Sequence, residues 1–154
     1  MGEVYFYHLT RSPLEAVLPM LLDRALGAGW RVAVRMQETA RVAWLDGRLW
    51  QGSEESFLPH GISGGQHDAL QPVLLTTGAL PVGVACLMVV DGAEVQPGEC
   101  QSAERTCIVF DGNDPQALAT ARGQWKSLTG AGLAAQYWSE DGGRWQKKAE
   151  AGGG

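Results

Sequence analysis

Short apolar runs alternate with amphipathic segments along this chain, and this alternation limits its fold more than any other feature. Residues 3–9 (EVYFYHL) and 30–36 (WRVAVRM) are rich in aromatic and β-branched side chains, which is typical of strands. Between them, apolar residues recur three and four positions apart over residues 14–26, a pattern that indicates an amphipathic helix. The preceding SPLE, residues 12–15, supplies an N-cap serine, an N1 proline and a capping-box glutamate. The N-terminal part therefore predicts a strand–helix–strand unit.

The rest of the chain continues the pattern. It predicts a helix over 38–50, buried strands at 71–77, 84–90 and 106–112, a helix over 113–132 capped by Asp114, and a hairpin over 134–149 that turns at Asp141-Gly142-Gly143. Strands that alternate with helices form a mostly parallel sheet flanked by helices. We expect a single α/β domain over residues 1–149, built as a three-layer sandwich, and a disordered tail over 150–154.

Composition narrows the class of protein. The 154 residues carry a net charge of -5 and a pI near 5.1, which argues against a surface that coats nucleic acid but leaves room for a small basic patch. No apolar run reaches the roughly 18 residues of a membrane span, and no basic leader precedes the first strand. The three cysteines, Cys86, Cys100 and Cys107, lack C-x-x-C spacing, and we expect buried thiols. These features favour a cytoplasmic protein.

The motifs of nucleotide binding are missing where the fold would place them. The turn after the first strand reads HLTRSPLE and has no glycine, so it lacks a phosphate loop. We expect no cofactor, no metal cluster and no catalytic residue. An alternative is a small nucleotide-binding or hydrolytic enzyme at the carboxyl edge of the sheet. It would require the loops around His8, Asp91 and Asp111 to converge on a pocket.

The last predicted helix carries the sharpest local feature. Arg122, Trp125 and Lys126 stand three and four positions apart and therefore share one helical surface. A cationic pair beside an indole suits a peptide that combines an apolar side chain with a carboxylate. The two cations could equally form an ordinary solvated helix face. Direct stacking of single-stranded nucleic acid on Trp and Arg is a third interpretation, which the net charge disfavours.

Several motifs occur in an order that resembles a known family. They are FYHL in the first strand, GWRVAVR after the first helix, RLW at the end of the second, SFLPHG and QPVLLTT in the middle, VVDGAEV, IVFDGNDPQALATARGQWK, and GRWQKKA near the end. Together they resemble the chi subunit of bacterial DNA polymerase III holoenzyme, over nearly the whole chain.

The resemblance implies a fold similar to nucleotide-binding domains without that activity. It also implies a replisome adaptor in the cytoplasm that joins the clamp loader through the psi subunit and binds the acidic C-terminal tail of single-stranded DNA-binding protein. Carried over by position, Arg122 and Lys126 would grip carboxylates, while Trp125 and Trp50 would wall an apolar pocket. Phe57, in SFLPHG, matches a residue at the psi interface. Nucleic acid would be contacted only indirectly, and polymerase activity would reside in other subunits.

Overall fold

A computed structural model describes residues 2–50, 61–62, 72–78, 83–141 and 144–151. The elements follow one another as β1 (Glu3–Leu9), α1 (Leu14–Gly27), β2 (Val32–Arg35), α2 (Thr39–Trp50), β3 (Gly61–Ile62), β4 (Val73–Thr76), β5 (Cys86–Val89), α3 (Pro97–Ser102), β6 (Arg105–Asp111), α4 (Pro115–Gly130), β7 (Ala134–Asp141) and β8 (Arg144–Ala151). Within these ranges, no helix combines the length and the apolarity that crossing a lipid bilayer requires.

The strands form one sheet in the order β3-β4-β2-β5-β6-β1-β7-β8. Every neighbouring pair is parallel except the hairpin of β7 and β8, which is antiparallel. Helices flank the sheet on both sides, so the predicted three-layer α/β sandwich with a mostly parallel sheet is confirmed. The central strands β2, β4 and β5 are buried along their whole length, as expected for a sheet covered on both faces.

The two faces of the sheet bury separate cores. On one face, α1 and α2 pack through residues such as Leu18, Leu22 and Leu45. On the other, α3 and α4 contribute Cys100, Ala121 and Leu128. Because side chains alternate along a strand, β1 sends Val4 and Phe6 to the α3/α4 face, while Tyr7 and Leu9 face α1 and α2. The three cysteines are buried and unpaired by disulfides, as predicted.

Two local predictions were wrong, and one short helix was not predicted. Pro13, and not Ser12, is the N-cap of α1, and it makes no side-chain cap. The Ser12 hydroxyl donates instead to the Glu140 carboxylate on β7, 2.7 Å away. The hydroxyl that the capping box required is therefore bonded to a residue that is distant in sequence. Helix α3 was not predicted, because six residues with a glycine show little periodicity. Strand β8 also continues through Glu150 and Ala151, which the sequence had assigned to the tail.

Candidate functional site: the α4 surface

Local sequence fixes the position of α4. Asp114 caps the helix by accepting from the Gln116 amide at 3.0 Å, and Pro115 occupies the first turn, as predicted. Ala121 and Leu128 are buried against the sheet. The Gln124 side chain donates to the Ala93 carbonyl at 3.0 Å and ties the helix to the loop after β5. The remaining face of α4 is thereby held toward solvent.

Trp125 lies at the margin of the core beneath α4. Its ring meets Phe6 edge-on at 5.3 Å between centroids and Tyr137 at 6.0 Å, and the Phe6 and Tyr137 rings are nearly parallel. Such offset and edge-to-face pairs each add roughly 0.5–1.5 kcal/mol beyond their area burial. Trp125 is nevertheless only half-buried. The indole is therefore fixed by two aromatic neighbours and still presents part of its surface to solvent.

Arg122 and Lys126 are exposed on the same part of α4, one turn apart. Within the described ranges, neither side chain forms an ion pair. Burial raises the pKa of Tyr137, and the nearby Arg122 guanidinium opposes that rise. Arg122 and Trp125 both neighbour Tyr137, and Lys126 follows Arg122 by one turn of α4. We call these three residues the α4 patch.

Sequence reasoning missed the support beneath the α4 patch. His8 Nδ1 and the Tyr137 hydroxyl share a hydrogen bond of 2.6 Å, and the His8 ring packs against Phe110 at 5.2 Å. Burial lowers the pKa of His8, an effect that Asp111 opposes and Arg122 reinforces. A Cβ on Gly112 would lie 1.7 Å from His8 Nε2, so a side chain at this position would displace the imidazole. The sequence signal was the alternation of β1, which puts His8 on the same face as Phe6.

Among the remaining candidate residues, the structure describes Asp111 but neither Phe57 nor the side chain of Trp50. Trp50 ends α2, which lies across the sheet from α4, and its side chain is not among the described atoms. Phe57 lies outside the described residues. Asp111 ends β6 in an exposed position, where one carboxylate oxygen accepts from the Asn113 amide at 2.9 Å.

A crevice of about 740 Å³ opens at the carboxyl edge of the sheet, between the ends of β1 and β6. The chain continues from β1 into α1 on one face of the sheet and from β6 into α4 on the other. Asp91 and Asp111 both line it, as the enzyme hypothesis requires. His8 does not converge with them, because it turns toward Tyr137 on the α4 face. Asp91 is engaged by Arg41 at 2.7 Å. Two of the three required groups therefore meet, and one of them is neutralised by an ion pair.

The turn after β1 also has its donors occupied. Glu140 accepts hydrogen bonds from the amides of Thr10, Arg11 and Ser12 at 3.1, 3.3 and 3.2 Å. Burial alone would raise the pKa of Glu140, but these bonds outweigh it, so its pKa is lowered. In nucleotide-binding folds, amides at this turn hold phosphate. Here the amides of the corresponding turn donate to the chain's own Glu140 carboxylate. No cluster of metal-ligating side chains occurs in the described part of the chain.

Comparison with known proteins decides the family. Residues 1–136 match the sequence profile described as "DNA polymerase III chi subunit, HolC". The chain belongs to this chi subunit family. It is 33% identical over 84 residues to the DNA polymerase III subunit chi of Pseudomonas aeruginosa, a match that covers 53% of this chain and 58% of that relative. The family is therefore that of an accessory subunit of the replicative holoenzyme, which acts in DNA replication.

Structural comparison supports the fold alone. The chain is similar to the C-terminal domain of S. cerevisiae Dbp5, solved with Gle1 and IP6, with a TM-score of 0.55, 13% identity and 90% of each chain covered. At that identity the likeness concerns the arrangement of helices and strands. The alignment with the P. aeruginosa relative spans little more than half of either chain. The choice of individual site residues therefore rests on the geometry described above.

Proposed function

We propose that this chi-family protein is a non-catalytic adaptor that binds the acidic C-terminal tail of single-stranded DNA-binding protein at the α4 patch. One observation carries the proposal. Two exposed cations without ion-pair partners in the described structure flank an indole that two aromatic rings hold half-exposed. A tail that ends in aspartates and a phenylalanine carboxylate offers the complementary groups, namely several negative charges and one apolar ring.

The chemistry assigns each residue of the α4 patch a role. The Arg122 guanidinium presents paired donors that match a carboxylate, while Lys126 acts as a point charge for the preceding acidic residues. Trp125 provides a rigid apolar surface for the terminal ring. In the free protein both cations are hydrogen-bonded to water. Their hydrogen bonds to the tail therefore contribute to the binding free energy only by as much as they exceed those lost to water. Hydrogen bonds to charged groups are worth about 1.5–3 kcal/mol, which is roughly a tenfold change in affinity or more.

Fluorescence anisotropy with a labelled tail peptide tests this assignment. Arg122→Ala and Lys126→Ala should each raise the dissociation constant by about fivefold or more, and the effect should shrink at high salt. Arg48→Ala is the matched control, since it removes an exposed arginine from the last turn of α2. Unchanged affinity in both α4 variants, or equal losses in all three variants, would refute the proposed site.

We further propose that the protein joins the clamp loader through psi, with Phe57 at the contact, in the cytoplasmic replisome. Support comes from family membership and from the placement of Phe57 in the family motif SFLPHG. Phe57→Ser should abolish co-purification with psi and leave tail-peptide affinity intact. Trp50→Ala is measured in the same experiment. Trp50 ends α2, and α2 and α4 lie on opposite faces of the sheet. We expect Trp50→Ala to leave tail affinity unchanged.

A further inference from the structure

Five partly buried aromatic residues gather on the face of the sheet opposite the α4 patch. Tyr5 and Tyr7 come from β1, Trp138 from β7 and Trp145 from β8, and Trp30 stands just before β2. The Trp145 ring meets Tyr7 edge-on at 5.4 Å. We call these five residues the aromatic platform. They account for half of the chain's six tryptophans, and the adaptor function proposed above uses none of them.

Cations accompany the aromatic platform. The Arg105 guanidinium lies 4.2 Å from the centre of the Tyr5 ring and 5.0 Å from that of Trp30. Its Nε is buried and has no hydrogen-bond partner in the described structure, and its one ion pair, to Glu3, is long at 3.7 Å. Arg24, in the last turn of α1, is the second cation that lines the pocket.

The pocket enclosed by these groups has a volume of about 250 Å³. Its described lining contains two arginines and no carboxylate, although the chain as a whole is acidic. An anion with flat rings therefore meets an apolar, π-rich wall and two guanidinium groups, of which Arg105 also forms the long ion pair to Glu3. The platform lies across the sheet from the α4 patch, so both surfaces can be occupied at once.

We propose that the aromatic platform binds a short stretch of single-stranded nucleic acid directly, by stacking bases on the sheet-borne rings and placing phosphates at Arg24 and Arg105. Aromatic residues on neighbouring strands of a sheet are a recurrent platform for two or three unstacked bases. Arginine beside such rings adds cation–π and phosphate contacts. A site with two arginines is a small local basic patch, which the net charge of -5 of the whole chain does not exclude.

Nucleic acid fits this surface better than an acidic peptide does. Four of the rings lie on the neighbouring strands β1, β7 and β8, whereas a peptide tail with one aromatic side chain would use a single pocket. Two cations predict weak, salt-sensitive binding. With about two phosphates neutralised, the dissociation constant should rise roughly sevenfold between 50 and 200 mM salt.

The test is a titration of the full chain with fluorescein-labelled oligo(dT) in the absence of any coating protein. Binding should raise the anisotropy and quench tryptophan fluorescence. Trp145→Ala should weaken binding by about fivefold or more, the usual loss of one stacked base. Arg24→Glu should weaken it at least as much, and its exposure ensures that the fold survives. Arg48→Glu makes the same charge change in the last turn of α2 and should leave affinity within about twofold.

Any one of the following results would overturn the proposal. They are an absence of binding at low salt, equal losses in Arg24→Glu and Arg48→Glu, and preferential Arg24-dependent binding of an acidic peptide. Equal affinity for dTMP and for the oligonucleotide would also reject it, since the site would then recognise a free nucleotide. The inference is independent of the tail-binding proposal. Arg122→Ala should lower tail affinity and leave oligonucleotide affinity unchanged, whereas Arg24→Glu should do the reverse.

Discussion

The buried ion pair between Arg35 and Glu99 provides the sharpest test of how this fold is held together. Arg35 ends β2, and its guanidinium donates to both carboxylate oxygens of Glu99 and to the carbonyls of Gly78 and Glu94. The side chain of Arg35 is only 9% exposed and that of Glu99 23%. One arginine therefore joins β2 to the chain beyond β4 and to α3.

Arg35→Met should destabilise the protein by up to about 3–5 kcal/mol, because it removes the guanidinium that pairs with the half-buried Glu99 carboxylate and donates to two carbonyl oxygens. For a chain of this length that corresponds to a fall in Tm of roughly 6–20 °C. Urea denaturation followed by circular dichroism measures the loss, with an unchanged m-value as the sign that the same surface unfolds.

Arg41→Met is the matched control. Arg41 also makes two contacts to one carboxylate, at 2.7 and 3.2 Å from the oxygens of Asp91, but its side chain is 41% exposed. It also stacks over Trp44 at 4.1 Å. Solvent screening limits such a pair to about 1 kcal/mol, and an exposed cation–π contact adds a similar amount at most. Equal destabilisation by Arg35→Met and Arg41→Met would refute the argument that burial sets the strength of these pairs.

Two further predictions concern groups near the candidate site. Gly112→Ala should lower the free energy of unfolding by about 1–3 kcal/mol and weaken tail binding, because the added methyl group displaces His8. The control is Gly123→Ala on the open surface of α4, which should be neutral or stabilise the protein by up to about 1 kcal/mol. Urea titrations of the two variants measure both changes. Glu140→Gln should destabilise most at neutral pH. The lowered pKa of Glu140 gives stability that is present above the ordinary carboxyl pKa of 4.5 and is lost as the pH falls, so mutant and wild-type urea midpoints should converge in acid; a constant difference down to pH 3 would contradict this reasoning.

Periodicity and capping residues predicted most of the fold. Strand β1, the hairpin and α4 with its Asp114 cap all formed as expected, because each depends on residues close together in sequence. The α4 patch was predicted for the same reason, since Arg122 and Trp125 lie within one turn of a single helix.

What the sequence did not reveal depends on contacts between distant residues. Glu140 occupies the donors of the β1–α1 turn from about 130 positions away, and it also explains why Ser12 does not cap α1. The bond between His8 and Tyr137 spans 129 positions. The placement of Trp50 across the sheet from α4 follows from topology, which no local pattern encodes.

The central claim is that the α4 patch receives a carboxylate-ended peptide, and a double-mutant cycle tests it most directly. Wild-type protein and Arg122→Ala would each be titrated with the tail peptide carrying either a free or an amidated C-terminus. If the Arg122 guanidinium contacts the terminal carboxylate, amidation should weaken wild-type binding far more than it weakens the variant, with a coupling energy of about 1 kcal/mol or more. Equal losses from amidation in both proteins would show that Arg122 does not contact that carboxylate.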